Sequence, residues 1–410
     1  MRIVKRSIPI NEALFFAAYI IFLFFTILSQ SFYFIYFNSI YRYIVAGCCA
    51  LLVLQEVVRT RMTRNSLWGL ILAVFLFALT FYGSKTATQS TVPAIFLFVF
   101  TARDIDCRRI ARLTLHITSA LMVFIIFSAY AGIIQDYVSE RESSMGYLRV
   151  RHYLGFRYAL YPSAFFKNII ALKVYLEQRR IKNSTLLLYL AISYWIYVMT
   201  DSRLSFYLGV IILVFAFVVK YLPRILKQDW LFAGGVIAFP LFFTVVLLLT
   251  VFYDPSSRWM SSLNTFLSTR LSLGQESLIL NGVSLLPQRI SWVGHGLDMY
   301  GRHSADAYSY VDSFYIQVFQ HYGVIFMVLL LAALFYVSLR LYREREFYVL
   351  FLFSMVAVHC VIDDLQIYLC YNTFWIIAVN TLMPSIRSGR DAKKTGSARR
   401  RPRRRIVLSR

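Results

Sequence analysis

Charged residues are scarce in this chain of 410 residues. Asp, Glu, Lys and Arg together make up 15% of it, whereas an average soluble domain has about 25%. Hydrophobic residues make up 59% and lie in long runs that a bilayer accepts and water does not. The composition excludes an ordinary soluble domain and predicts an all-α, polytopic membrane helix bundle, with one integral membrane domain over residues 1–386.

Metal-binding and redox motifs are also missing. The sequence has five Cys and six His, but no CxxC pair, no HExxH and no DxD, the spacings that indicate dithiol chemistry, zinc or a divalent ion. Most of the cysteines stand in apolar runs, where they act as small apolar residues. We therefore expect no metal, no cofactor and no disulfide.

Internal repeats are not visible, which disfavours a transporter built from duplicated halves. The first apolar run follows basic residues but precedes no small-residue cleavage site, so we interpret it as a retained span. Apolar runs of about 15 to 23 residues predict about twelve spans. These runs are 12–29, 41–58, 66–82, 89–101, 113–134, 161–176, 185–199, 204–219, 230–253, 311–339, 347–361 and 365–383.

Basic residues test this count independently. With the N-terminus in the cytoplasm, every loop that falls inside contains several Lys or Arg residues, as the positive-inside rule requires. Both termini are then cytoplasmic. The basic tail, 387–410, is too polar to fold and is expected to be disordered. It fits contact with anionic membrane lipids, or an ordinary positive-inside anchor, better than nucleic acid.

Two predicted outside loops are long, at 135–160 and 254–310. Long loops on a membrane bundle commonly form or cover a site at the membrane surface. Several arginines stay on this side against the inside bias, and a guanidinium fork matches the geometry of a phosphate-bearing ligand. Pairing with outside carboxylates, or plain solvation, is the alternative for any single arginine. The set includes Arg151, Arg203, Arg258, Arg270 and Arg289.

A few other ionisable residues stand in or beside apolar runs. Lys167 lies inside the sixth run, deeper than snorkelling readily explains. Asp312 begins the tenth run, whose middle contains Gly323, so that run could be a short helix followed by a span. His303 lies nearby in the long loop. An Asp or His at the mouth of a bundle suits a general base, and a loop or cap role is the alternative for a lone His.

Three segments together resemble the Wzy-type polymerases of bacterial capsule and O-antigen synthesis, and more distantly the O-antigen ligases. Residues 151–156, Arg-His-Tyr-Leu-Gly-Phe, resemble the family's R-x-x-L-G-F, and residues 200–203, Thr-Asp-Ser-Arg, resemble its T-x-S-R. Residues 311–315, Val-Asp-Ser-Phe-Tyr, resemble D-N-x-Y with Ser313 in place of Asn. An Asp at this place, where the ligases have His, favours a polymerase. The layout of spans and the large late loop also agrees.

The resemblance implies a metal-independent glycosyltransferase that joins oligosaccharide repeat units carried on a polyprenyl diphosphate, at the outer face of the bacterial cytoplasmic membrane. A flippase and a chain-length regulator are its candidate partners. Arginines would bind the donor diphosphate, and an Asp or His would orient or deprotonate the acceptor. The site residues assigned in this way are Asp312, His303 and Arg203 for catalysis, and Arg151, Arg270, Arg289, Arg258 and Lys167 for substrate binding.

Three alternatives remain open. An O-antigen-type ligase would share the layout but transfer finished glycan to another acceptor. A transporter or flippase for the lipid-linked unit would have charged residues along a central pathway on several spans. A membrane scaffold without enzymatic activity is the third.

Overall fold

The structure of the protein, a computed structural model, describes residues 9–59, 64–83, 91–142 and 148–380. It is mostly helical, with short 3-10 turns between helices and one pair of strands. The predicted basic tail at 387–410 lies outside the described residues. The helices are α1 (Ile10–Leu28), α2 (Asn38–Val58), α3 (Arg64–Gly83), α4 (Thr91–Thr101), α5 (Cys107–Tyr130), α6 (Tyr161–Glu177), α7 (Asn183–Thr200), α8 (Arg203–Tyr221), α9 (Trp230–Ala233), α10 (Ala238–Val251), α11 (Arg258–Phe266), α12 (Arg270–Asn281), α13 (Phe314–Arg343), α14 (Phe347–His359) and α15 (Phe374–Val379), and the strands are β1 (Val138–Glu142) and β2 (Leu148–His152).

Five of the described helices, α1, α2, α5, α8 and α13, are long and apolar enough to cross a membrane. A sixth crossing results if the pair α9 and α10, bent by 57°, forms one span. Helices also occupy the other predicted intervals, but α4 has 11 residues and α15 has only 6. The chain is thus a helical bundle with the apolar helices of a membrane protein, and twelve crossings stays a prediction.

Large apolar side chains point away from this bundle as well as into it. On α5, Ile125 is fully buried, whereas Val123 is 69% and Phe127 is 67% exposed. Such outer faces would associate in water. In a bilayer they carry no penalty, because lipid tails are as apolar as the side chains.

The helix α13 is broken at Gly323, as the sequence predicts. The backbone of Gly323 has φ 83° and ψ 171°, a conformation that L-residues rarely adopt. A Cβ atom there would lie 2.7 Å from the carbonyl oxygen of Leu285. The break separates a short helix at 314–322 from a longer apolar one, and the segment that precedes α13 packs into the bend.

A β-hairpin departs from the all-α expectation. The strands β1 and β2 pair antiparallel, with Ser139 opposite Arg151. Both strands mix charged and apolar residues, so they lack the apolar run by which the spans are recognised. The hairpin turns Arg151 towards the bundle, where the Nε atom of Arg151 donates a hydrogen bond to the carbonyl of Thr200 at 2.8 Å.

Three segments between the long helices meet at one end of the bundle, which we call the loop end. They are 131–142 with 148–160, 282–313 and 360–373. The backbone N–H of Leu297 donates to the carbonyl of Arg157 at 2.9 Å. The hydroxyl of Tyr310 donates to Asp364 at 2.5 Å. These contacts tie the long segment before α13 to both of the others.

A different set of charges lies at the far end of α2. Arg103, only 3% exposed, binds both carboxylate oxygens of Glu56, at 2.8 and 2.5 Å. Arg59 pairs with Glu56 and with Asp104. Basic residues at this end are thus held by acids of neighbouring helix ends, whereas the loop end combines acids with tyrosines.

Candidate functional site

Three carboxyl groups converge at the loop end. Asp312 lies two residues before the start of α13, while Asp363 and Asp364 follow α14. Asp364 accepts hydrogen bonds from Tyr310 and, at 3.2 Å, from the side-chain amide of Gln317. Burial raises the pKa values of Asp312 and Asp364, and the negative charge of Asp363 raises both further.

Arg270 is the cation of this acidic cluster. Its Nη2 atom lies 3.3 Å from Oδ2 of Asp312, and its side chain is 18% exposed. The Nε atom of Arg270 donates to the carbonyl of Ile362 at 2.7 Å, and Nη1 donates to that of Leu267 at 3.0 Å. Arg270 therefore joins α12, the segment after α14 and the residue that precedes α13.

Two of the carboxyls hold their protons more tightly than an exposed Asp does. Burial raises the pKa of Asp312, and the neighbouring Arg270 charge opposes that shift. Burial and the charge of Asp363 raise the pKa of Asp364 to about 7, against the hydrogen bond from Tyr310. A carboxyl with a pKa near neutrality can exchange a proton at physiological pH.

Tyrosines line the acidic cluster. The hydroxyl of Tyr308 donates to Oδ2 of Asp312 at 3.2 Å. Burial, followed by the charge of Asp312, raises the pKa of Tyr308 and of Tyr158, so both phenols stay protonated and can donate. The charges of Arg151 and Arg270 both act on Tyr158. The charges of Asp312 and Arg151 therefore both reach Tyr158.

Arg151 and Arg203 lie at one turn, formed by residues 200–203 between α7 and α8. Asp201 has a left-handed backbone with φ 47° and ends α7. Its carboxylate accepts a hydrogen bond from Nε of Arg203 at 3.3 Å, and the Arg203 side chain is 53% exposed. An ion pair this exposed contributes about 0–1 kcal/mol. Arg203 is therefore accessible to an anion at the same turn that binds Arg151.

Gly155 fixes the segment after β2 against the bundle. It has φ 81°, and a Cβ atom would lie 2.9 Å from Cδ1 of Ile134 and 3.0 Å from the carbonyl oxygen of Ile125. Close by, the hydroxyl of Ser202 donates to the carbonyl of Ala159 at 3.2 Å. The segments 151–156 and 200–203 are therefore in contact, directly through Arg151 and Thr200 and also through the neighbouring Ala159.

His303 is exposed and reaches the acidic cluster only through other rings. Its Nε2 atom lies 3.1 Å from the hydroxyl of Tyr137. The ring centroids of His303 and His295 are 6.5 Å apart, and His295 stacks on Tyr308 at 4.1 Å. Of these rings, that of Tyr308 contacts Asp312, which also pairs with Arg270, and the two histidines lie behind Tyr308.

Arg289 and Arg258 are placed away from Asp312. The Nε atom of Arg289 donates to the carbonyl of Tyr82 at 3.3 Å, and its guanidinium lies over the ring of Tyr82. The preceding residue, Gln288, is hydrogen-bonded to His321, at the end of the short helix opposite to Asp312. Arg258 begins α11 and is exposed. Of the predicted arginines, Arg270 is the one whose ion pair with Asp312 the structure records.

Lys167 belongs to a buried polar chain inside the bundle. Its Nζ atom lies 3.0 Å from Nδ1 of His359 and donates to Oε1 of Gln366 at 2.6 Å. Nε2 of His359 lies 3.2 Å from Oδ2 of Asp363. With Nδ1 as acceptor and Nε2 as donor, a neutral imidazole satisfies both neighbours. Lys167 is thus linked through His359 to the acidic cluster.

Asp363, Asp364 and His359 are absent from the sequence-based site. Their signal is two consecutive acids between the apolar runs 347–361 and 365–383. Ionisable residues at the edge of spans are costly and often functional. The two acids fall between predicted spans and His359 falls inside the run 347–361, so the sequence-based site omits all three.

The described residues contain no group of three or more His, Cys, Asp or Glu side chains suited to a metal ion. Comparison of the chain with models of protein families, with curated proteins and with solved structures finds no match. A function therefore has to be argued from the site itself.

Proposed function

We propose that the chain polymerises oligosaccharide repeat units carried on a polyprenyl diphosphate, at the outer face of the bacterial cytoplasmic membrane. The observation that carries the proposal is the pair of Arg270 and Asp312, beside Asp363 and Asp364, at the end of a bundle of apolar helices. Such a cluster offers a cation to a diphosphate and carboxylates to a sugar hydroxyl. Its place suits a substrate with a lipid anchor and a polar head.

The proposed reaction exchanges one bond for another. The oxygen of the acceptor hydroxyl forms a bond to the anomeric carbon of the donor sugar, and the bond from that carbon to the diphosphate oxygen breaks. Polyprenyl diphosphate leaves with the bonding electron pair, and the hydroxyl proton passes to a carboxylate. The step needs no oxidant and no nucleotide.

Arginines would stabilise the leaving diphosphate. Negative charge develops on its oxygens in the transition state, and preorganised donors there are typically worth about 10²–10³ in rate each. Arg151 and Arg203 share the turn at 200–203, and Arg270 lies beside the acidic cluster. We assign these three to the donor diphosphate. Arg258 and Arg289 would contact more distant parts of the substrate.

Carboxylates would act on the acceptor. Asp312, held by Arg270 and Tyr308, suits the orientation of the attacking hydroxyl. Asp364 suits removal of its proton, because a base works best when its pKa is near the operating pH and the pKa of Asp364 is about 7. His303, which contacts Tyr137, would bind the acceptor sugar from the exposed side.

Lys167 and His359 would position the acids. They lie inside the bundle and reach Asp363 through consecutive contacts of 3.0 and 3.2 Å. Asp363 also accepts the backbone N–H of Leu365 at 2.8 Å. This fixes the carboxylate next to Asp364, whose pKa depends on the charge of Asp363.

The buried contacts from Lys167 through His359 to Asp363 favour a second candidate function, a transporter of the lipid-linked unit. Lys167 on α6 and His359 on α14 place ionisable groups on two helices inside the bundle, as a transport pathway would. The acidic cluster at the loop end still favours surface chemistry, because its charges are gathered at the mouth of the bundle.

Reconstitution distinguishes these functions. Purified protein in lipid nanodiscs is incubated with a lipid-diphosphate oligosaccharide, without added nucleotide or metal. A polymerase produces a ladder of glycan lengths on the carrier. Absence of a ladder, together with movement of the labelled lipid across proteoliposomes, would replace the polymerase by the transporter. In cells that lack the chain, single repeats indicate a polymerase, and unattached polymer indicates a ligase.

A further inference from the structure

An apolar cavity of about 160 Å³ lies between α3, α4 and α13. Its lining consists of apolar side chains and one glycine from these helices, from the segment after α14 and from α15. Phe314 and Ile367 are among them, two residues from Asp312 and three residues from Asp364 in the sequence. The cavity therefore begins beside the acidic cluster.

The cavity extends along the bundle away from the loop end. Its lining on α13 includes both Phe326 and Val337, which are separated by about 16 Å at a helical rise of about 1.5 Å per residue. Leu72 on α3 and Val99 on α4 line the same stretch. A volume of about 160 Å³ is far too small for a helix of about 10 Å diameter over this length, whereas it admits part of a single hydrocarbon chain.

The size of the cavity agrees with part of such a chain. An apolar cavity of about 150 Å³ in another protein stays dry and takes up benzene, a six-carbon guest. The cavity between α3, α4 and α13 has nearly the same volume, which corresponds to roughly one isoprene unit. Its lining offers nothing to which a charged or strongly polar ligand could bind.

We propose that this cavity binds the part of an anionic lipid's hydrocarbon chain that is next to its head, while the head lies at the acidic cluster and its arginines. The occupant follows from the small, apolar lining and from Phe314 and Ile367, which bring one end of the cavity close to Asp312 and Asp364. This inference rests on the proposed function for the identity of the head as a diphosphate. It adds the place where the chain attached to that diphosphate is held.

Two neighbouring alanines on α13 supply the test. Ala333 lines the cavity, whereas Ala332 is exposed and is not part of the lining. Binding of farnesyl diphosphate and of inorganic diphosphate is measured with the whole chain in nanodiscs. We expect Ala333→Phe to weaken farnesyl diphosphate binding at least tenfold and to leave inorganic diphosphate unchanged. Ala332→Phe should change neither.

Wild-type affinity of Ala333→Phe for farnesyl diphosphate, or no binding by the wild-type chain, would overturn the inference. If Ala333→Phe does not fold, Val99→Phe fills the same cavity from α4 and takes its place. Failure of the proposed function is a separate result. A wild-type chain that shows the expected binding but forms no glycan ladder keeps the cavity assignment and loses the polymerase. If a variant with a filled cavity binds farnesyl diphosphate normally and forms a normal glycan ladder, the polymerase is kept and the cavity assignment is lost.

Discussion

Replacement of Arg270 by Met should destabilise the protein and stop the reaction. At 3.3 Å from Asp312, the Coulomb attraction is about 5 kcal/mol at an effective dielectric constant of about 20. Both side chains are mostly buried, at 18% and 15% exposure. Removal of one partner of such a pair costs about 3–5 kcal/mol, because the other charge stays buried without it. The carbonyls of Ile362 and Leu267 also lose a donor.

A double-mutant cycle separates this structural effect from the effect on activity. Asp312→Asn removes the charge that Arg270→Met leaves unpaired. The double variant should therefore lose less unfolding free energy than the two single variants lose together, by about 0.5–3 kcal/mol. Unfolding is followed by tryptophan fluorescence in detergent. Arg258→Met, at an exposed position, is the control for stability and should stay within about 0.5 kcal/mol of wild type.

The glycan ladder supplies the second readout. Arg270→Met should slow the ladder about 10²–10³-fold, and the double variant should regain stability without regaining this activity. Wild-type stability of Arg270→Met, or strict additivity in the cycle, would refute the ion pair. A normal ladder from a folded Arg270→Met variant would remove Arg270 from the donor site.

The remaining predictions concern pH, an exposed arginine and a glycine. Because the pKa of Asp364 is raised from 3.8 to about 7, the folded state holds a proton that the unfolded chain releases; stability should therefore fall between about pH 4 and 7, and Asp364→Asn should remove that slope. The ladder should form faster as Asp364 loses its proton. Asp363→Asn should move the midpoint of this pH dependence to lower pH, because the charge of Asp363 raises the pKa of Asp364; an unchanged midpoint would show that another group is the base. Arg203→Ala should abolish the ladder but change the unfolding free energy by at most about 1 kcal/mol; a normal polymer length would remove it from the site. Gly323→Ala should cost about 1–3 kcal/mol in a fluorescence unfolding assay, whereas Gly47→Ala, with nothing within 4 Å, should not destabilise; equal stabilities would contradict the strained break.

Local features of the fold could be predicted from the sequence. Apolar runs locate the helices because a helix in lipid must satisfy its own backbone and present apolar side chains all round. The break at Gly323 is also local, since it needs one residue that tolerates φ 83°. The strands β1 and β2 escaped prediction because both are short and rich in charged residues, so that only their pairing makes them strands.

The site was less predictable because long-range packing assembles it. Asp312 and Arg270 were both named from the sequence, but their contact depends on how α12 packs beside the start of α13. Lys167 and His359 are 192 residues apart, so nothing in the sequence near Lys167 reveals its partner. Arg289 belongs to the same predicted outside loop as Arg270, yet it lies against Tyr82 and not beside Asp312.

The side of the membrane that the loop end faces tests the proposed function most directly. The proposed joining of lipid-linked repeat units outside the cytoplasm requires the acidic cluster to face outwards. Ser304, in the segment before α13, and Lys227, after α8, are both exposed. Ser304→Cys and Lys227→Cys are treated in intact cells with a membrane-impermeant maleimide, with the parent chain as background for the five native thiols. We predict that Ser304→Cys is labelled at once and Lys227→Cys only after permeabilisation. The opposite pattern would place the acidic cluster in the cytoplasm and contradict the proposal.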